Sequence, residues 1–156
     1  MDDYQKLVSK ALETVTEVMP WDLEDEINNN PDLIILDIRE QDEFDMMHIK
    51  GSLHVPRGLL EGACCWNYDD TVPSLASSRN QDIVVICRSG NRSALAAQSM
   101  QQLGFTKVRS LKLGIKGWND TDLELINADG YEVDIDEADE WLNTAVPEEN
   151  LEPKKT

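Results

Sequence analysis

The stretch Ile83-Val84-Val85-Ile86-Cys87-Arg88-Ser89-Gly90-Asn91-Arg92-Ser93 decides the fold of this chain. Four apolar, mostly β-branched residues in a row read as a strand buried on both faces. Cysteine, arginine, serine and glycine then make a tight turn, and Ala94-Leu95-Ala96-Ala97-Gln98 continues as a run of strong helix formers. A strand that feeds a helix start is the building unit of an open α/β sheet, and such sheets place their ligands at the carboxyl ends of the strands. Cys87 therefore faces the N–H groups of a helix start, with Arg88 and Arg92 nearby, and both features favour a thiolate. A buried inert thiol has no use for a cationic, glycine-containing turn. Cys87 is accordingly read as a nucleophile that also handles anions.

Outward from this unit, Leu33-Ile34-Ile35-Leu36-Asp37 is a second buried strand and residues 40–47 a short helix. Ser52-Leu53-His54-Val55-Pro56 is a short strand ended by its proline, residues 58–66 are helical, and 67–81 form a loop. A helix over 93–103 closes at Gly104, a strand follows over 107–111, and 114–118 opens another helix. Upstream, Leu7, Ala11, Val15 and Val18 mark one face of an amphipathic helix over 3–18, stopped by Pro20, with a second helix over 21–28. Alternating buried strands and helices predict a mainly parallel sheet covered on both faces. The expected division is an N-terminal helix (1–19), one domain (20–130), and an acidic C-terminal helix near 136–144 within a segment (131–156) that ends in a flexible tail.

The 156 residues carry 31 acidic against 14 basic side chains, a net charge of −17. Such a surface disfavours nucleic acid and anionic membranes as partners. No apolar stretch approaches membrane-spanning length and no secretory leader pattern is visible, so a cytoplasmic location is expected. Three cysteines, two of them adjacent (Cys64, Cys65), make a poor disulfide framework and suit a reducing compartment. With two histidines and no ligand spacing, neither a metal nor another cofactor is expected.

Four blocks, in order, give the chain a resemblance to the rhodanese-homology domains, in particular the single-domain thiosulfate sulfurtransferases. They are Leu36-Asp37-Ile38-Arg39-Glu40 with Glu43-Phe44 and His48-Ile49-Lys50-Gly51; Val55-Pro56-Arg57-Gly58-Leu59-Leu60-Glu61; Cys87 to Ser93; and Leu113-Gly114-Ile115-Lys116-Gly117-Trp118. Met47 and Leu113 stand where the family pattern usually has glycine. The resemblance implies an α/β fold with a central, mainly parallel five-stranded sheet and helices on both faces. It implies a catalytic Cys87 that takes sulfane sulfur from thiosulfate or a persulfide donor and passes it to a thiol, a protein acceptor or cyanide. Arg88 and Arg92 would hold the donor anion and favour the thiolate, Ser89 and Gly90 would present loop amides, and Asn91 and Ser93 would shape the helix start.

Asp37 and Arg39 are expected to support the site, Arg39 through a structural ion pair with Glu40, Glu43 or neighbours of the loop. His48 and Trp118 are read as packing residues, and Cys64 and Cys65 as bystanders amid Glu61, Asp69 and Asp70. Two alternatives stay open. Rhodanese-homology domains also serve as non-catalytic binding modules, though these usually lack the cysteine. Related folds house cysteine phosphatases and arsenate reductases, whose loop places five residues between cysteine and arginine; here Arg88, Ser89, Gly90 and Asn91 are the only residues between Cys87 and Arg92.

Overall fold

A computed structural model describes residues 1–155. The chain runs α1 (Asp3–Ala11), β1 (Glu17–Val18), α2 (Pro20–Asn29), β2 (Ile34–Asp37), α3 (Gln41–Met46), β3 (Leu53–His54), α4 (Leu60–Ala63), α5 (Pro73–Ala76), β4 (Ile83–Ile86), α6 (Asn91–Gln102), β5 (Val108–Leu111), α7 (Gly114–Asp120) and α8 (Ile135–Leu142). The strands form one five-stranded, all-parallel sheet in the order β1-β5-β4-β2-β3. β4 lies at its centre, with Leu36 beside Val85 on one side and Ser110 beside Val85 on the other.

Strand periodicity divides the core in two. Leu36, Ile83, Val85 and Cys87 point to the face packed by α4, α5 and α6, against Leu60, Leu75, Ala97 and Met100. Ile35, Val84 and Ile86 point to the opposite face, against Leu23 of α2, Ile115 and Trp118 of α7 and Leu142 of α8. The four residues of β4 are all buried, as a strand covered on both sides must be.

The amphipathic helix expected over 3–18 is shorter. α1 ends at Ala11, and β-branched Thr14, Val15 and Thr16 lead into β1, which pairs with β5 through Glu17↔Ser110. Sheet pairing outweighs the helical periodicity there, and Pro20 opens α2 at its first turn instead of stopping α1. The region 67–81 contains the short α5, and helix near 58–66 is limited to one 3₁₀ turn followed by α4. Among the described residues, no helix is long and apolar enough to cross a membrane.

Candidate functional site

β4 delivers Cys87 to the carboxyl edge of the sheet, and Gly90 turns the chain into α6. Gly90 has a φ of 98°, and its own N–H donates to Cys87 Sγ at 3.1 Å. A Cβ at this position would lie 3.3 Å from the Leu113 nitrogen and 3.4 Å from the Leu111 carbonyl oxygen, so the turn needs glycine for both conformation and space. Cys87 Sγ donates to Ser93 Oγ at 3.2 Å, and Ser93 Oγ lies 2.7 Å from Ser110 Oγ. All three side chains are buried. When the sulfur is a thiolate the direction reverses: Ser93 donates to sulfur and Ser110 donates to Ser93. Sequence reasoning missed Ser110, because only the β4–β5 register brings it there.

The loop is braced from outside by α7. Gly114 has a φ of +59°, and a Cβ on it would lie 2.4 Å from the Arg88 carbonyl carbon and oxygen and 2.5 Å from the Cys87 carbonyl oxygen. This approach lets Ile115 N–H donate to the Cys87 carbonyl at 2.9 Å and Lys116 N–H to the Arg88 carbonyl at 3.0 Å. With its carbonyls held by α7, the loop presents the Gly90 N–H to sulfur. Leu113, the residue before, carries a left-handed φ of 66° without being glycine.

The two arginines part company. Arg92, in the first turn of α6, makes a two-pronged ion pair with Glu43 at 2.9 and 2.8 Å, and Glu43 also accepts the Glu40 N–H at 2.9 Å. Burial opposes charge on Glu43, but the guanidinium and that amide outweigh it and hold the carboxyl below its ordinary value. The hydrogen bonds to Glu43 hold Arg92 more firmly protonated, and Cys87 adds a smaller contribution in the same direction. Arg88 reaches the other way, donating to the Leu142 carbonyl and lying 3.5 Å from Thr144 Oγ1. It ties the loop to the end of α8. Ser89 and Asn91 are exposed on the outer rim.

Asp37 and Arg39 are fully buried partners. Arg39 Nε meets both Asp37 oxygens at 3.0 and 3.1 Å, Nη2 meets Oδ2 at 2.8 Å, and Nη2 also donates to the Met47 carbonyl at 2.6 Å. The expected partners Glu40 and Glu43 are therefore not the ones used. Arg39 folds back on its own strand end, while Glu43 is taken by Arg92. The pair fixes the turn from β2 into α3, the helix that carries Glu43.

His48 Nδ1 lies 2.7 Å from the Phe44 carbonyl and His54 Nε2 lies 2.8 Å from the Arg39 carbonyl, and both rings stack on Phe44. Trp118 is core, its indole N–H donating to the Glu124 carbonyl at 2.9 Å. Tyr4 of α1 is a further residue that sequence reasoning missed. Burial raises its phenol, and Cys87 adds to the rise while Arg92 opposes it, so Tyr4 stands within electrostatic reach of the loop.

The three cysteines are free. Cys64 is buried, and that burial pushes its thiol up to about 11. Cys65 Sγ has a cationic neighbour that the local sequence did not reveal, Arg79 Nη2 at 3.5 Å, whose guanidinium lies over the Phe105 ring. Among the described residues, no group of three His, Cys, Asp or Glu side chains is placed to hold a metal ion.

Residues 19–121 match the model of the Rhodanese-like domain, about two thirds of the chain. The chain belongs to the rhodanese-like domain family. A curated relative, "Putative sulfur carrier protein YrkF" of Bacillus subtilis, is 30% identical over 110 residues, which are 70% of this chain; the chain spans about half (54%) of YrkF. Among solved structures, the polysulfide-sulfur transferase homodimer of Wolinella succinogenes superposes with a TM-score of 0.63 at 24% identity, covering 80% of this chain and 87% of that one. RPA3614 of Rhodopseudomonas palustris, described as a "Protein of Unknown Function, Possible Tyrosine Phosphatase", does so with a TM-score of 0.70 at 26% identity, covering 78% and 92%. This rhodanese-like domain thus has sulfur carriers and sulfurtransferases among its relatives, at modest identity.

Proposed function

We propose that the protein is a sulfurtransferase that carries sulfane sulfur as a persulfide on Cys87. The carrying observation is the buried thiol at the end of β4, met by the Gly90 N–H and by the Ser93–Ser110 hydroxyl pair. In the first half-reaction the Cys87 thiolate attacks the outer sulfur of thiosulfate or of a persulfide donor. The donor's S–S bond breaks, its electron pair leaves with sulfite or the donor thiolate, and Cys87 keeps the transferred sulfur as a persulfide. Gly90 and Ser93 hold the attacking sulfur in place as charge moves along the S–S axis. In the second half-reaction an acceptor thiolate or cyanide attacks the outer persulfide sulfur, and the electron pair returns to Cys87.

Arg92, held by Glu43, supplies a fixed positive charge near the anion, while Arg88 sets the position of the loop from α8. Asp37 and Arg39 support the site by fixing α3. Ser89 and Asn91 form the rim over which a donor arrives.

A phosphatase reading draws on the description of RPA3614. The four-residue interval from Cys87 to Arg92 argues against it, as does the commitment of Arg92 to Glu43.

The test is intact mass after thiosulfate treatment, with peptide mapping and a parallel sample exposed to cyanide. The expected result is one added sulfur on Cys87, released as thiocyanate, and lost in Cys87→Ser but kept in Cys64→Ser/Cys65→Ser. An unmodified Cys87 together with hydrolysis of an aryl phosphate overturns the proposal in favour of phosphoryl chemistry. Neither activity, with persulfide donors also inert, overturns it in favour of a binding module.

A further inference from the structure

α8 and the segment before it face the end of α3 across a groove of about 680 Å³ that the sulfur chemistry does not use. Met46, Met47, Val133 and Trp141 give it apolar walls, and Met46 is 45% exposed. Asn127 and four carboxylates, Glu132, Asp134, Glu137 and Glu140, complete the lining. Asp134 is engaged in capping α8, accepting the Asp136 and Glu137 N–H groups. Among the described residues the other three have no cationic partner within 4.0 Å, and no lysine or arginine lines the groove. A second cavity continues from the first, sharing Glu132, Val133 and Asp134 and adding Asp122, Ile135 and Asp136.

Both walls connect to residues that flank Cys87. On one side α3 carries Glu43, which holds Arg92; on the other, the last residue of α8, Leu142, accepts from Arg88. The groove is thus built on the two helices that hold the loop's arginines. Its chemistry is wrong for a thiosulfate-like anion, which the carboxylates repel. It is also wrong for a metal ion, because these side chains do not converge as a cation site requires. An apolar wall beside unpaired carboxylates selects a chain that is both cationic and apolar. The apolar part gives up water on binding and the charges choose sign and register. Methionine walls adapt to more than one shape.

We propose that this groove docks a basic, amphipathic segment, lysines or arginines interleaved with bulky apolar residues, of the protein that exchanges sulfur with Cys87. Its assignment to sulfur exchange rests on the sulfurtransferase reading above; the docking itself stands on the groove.

The test uses the full chain labelled with nitrogen-15 and three short peptides: alternating lysine and leucine, lysine and serine, and glutamate and leucine. The lysine–leucine peptide is expected to shift the Trp141 indole, the amides of 132–141 and Met46. The charge-reversed variant Glu137→Lys/Glu140→Lys, on an exposed helix face, is expected to weaken it by about tenfold or more. The lysine–serine peptide is expected to bind at least about tenfold more weakly, and the glutamate–leucine peptide not at all. Shifts spread evenly over the acidic surface, equal affinity for the two lysine peptides, or indifference to the double reversal would each overturn the proposal. Thiosulfate loading of the same sample is read separately by mass. A Cys87 that takes no sulfur from thiosulfate or from a persulfide donor while the peptide still seats refutes the earlier reading and leaves the docking surface standing.

Discussion

Replacing Gly114 with alanine tests how the loop is built, because the structure separates two costs there. A Cβ on Gly114 would sit 2.4 Å from Arg88 backbone atoms, about 1 Å inside the ordinary contact distance of 3.4 Å. Those atoms are backbone and cannot swing aside, so α7 and the loop must separate. The Ile115–Cys87 and Lys116–Arg88 hydrogen bonds then stretch or break, at about 1 kcal/mol each. The left-handed φ of +59° adds about 1–2 kcal/mol for any residue with a Cβ. Together these give about 3–4 kcal/mol, a large share of a typical domain's stability.

Two other glycines supply the reference. Gly51 has a φ of +82° and nothing within 4 Å of a Cβ, so Gly51→Ala carries only the conformational cost of about 1–2 kcal/mol. Gly58 has neither problem, and Gly58→Ala is expected within about 0.5 kcal/mol of wild type. Urea unfolding orders the three, and sulfur transfer from thiosulfate to cyanide is measured on each folded variant. A shift of about 1 Å at Cys87 is expected to cost Gly114→Ala up to about a hundredfold in rate. Equal stability of Gly114→Ala and Gly51→Ala would refute the close approach of α7 to the loop.

Arg39→Met leaves the buried Asp37 carboxylate alone and is expected to cost about 3–5 kcal/mol; Asp37→Asn/Arg39→Met should recover most of it, and equal losses in urea melts would count against the pairing. Glu43 ionises more readily folded than unfolded, so its contribution is full above its ordinary value near pH 4.3 and fades as pH falls through the lower folded value. The stability gap between wild type and Glu43→Gln should therefore narrow from about pH 4 downward, as followed by thermal melts across pH. Cys64, pushed up to about 11, keeps its proton longer in the folded protein, so stability should decline from about pH 9 upward. Cys64→Ala should flatten part of that decline, and alkylation of Cys64 at neutral pH should require unfolding.

Local pattern carried much of the architecture. The unbroken apolar run of β4, the turn residues after it and the helix formers beyond were enough to place Cys87 at the sheet's edge. What the sequence withheld was closure in three dimensions. Ser110 reaches Ser93 only through the register of β5 against β4, and Arg88 finds Leu142 only once α8 has packed. Arg39 and Asp37 are near neighbours in sequence, yet nothing local tells that Glu43 pairs with Arg92, 49 residues away, and not with Arg39. The β1 error has the same source: Leu7, Ala11, Val15 and Val18 fit a helical face, and only an available edge on β5 pulls the last of them into a strand. The groove could not be read at all, since its walls come from α3 and α8, on opposite sides of β4 in the chain.

The strand order also constrains how the molecule can come into being. Translation makes β1 before the other four strands of this sheet, yet its neighbour, β5, is made last of the five. Glu17 must wait for Ser110 to be synthesised before it has anything to pair with. On a ribosome the β4-β2-β3 side of the sheet can assemble first, while β1 stays unpaired. Final closure is then a long-range event of the kind that slows folding and leaves an edge exposed to other chains in the meantime.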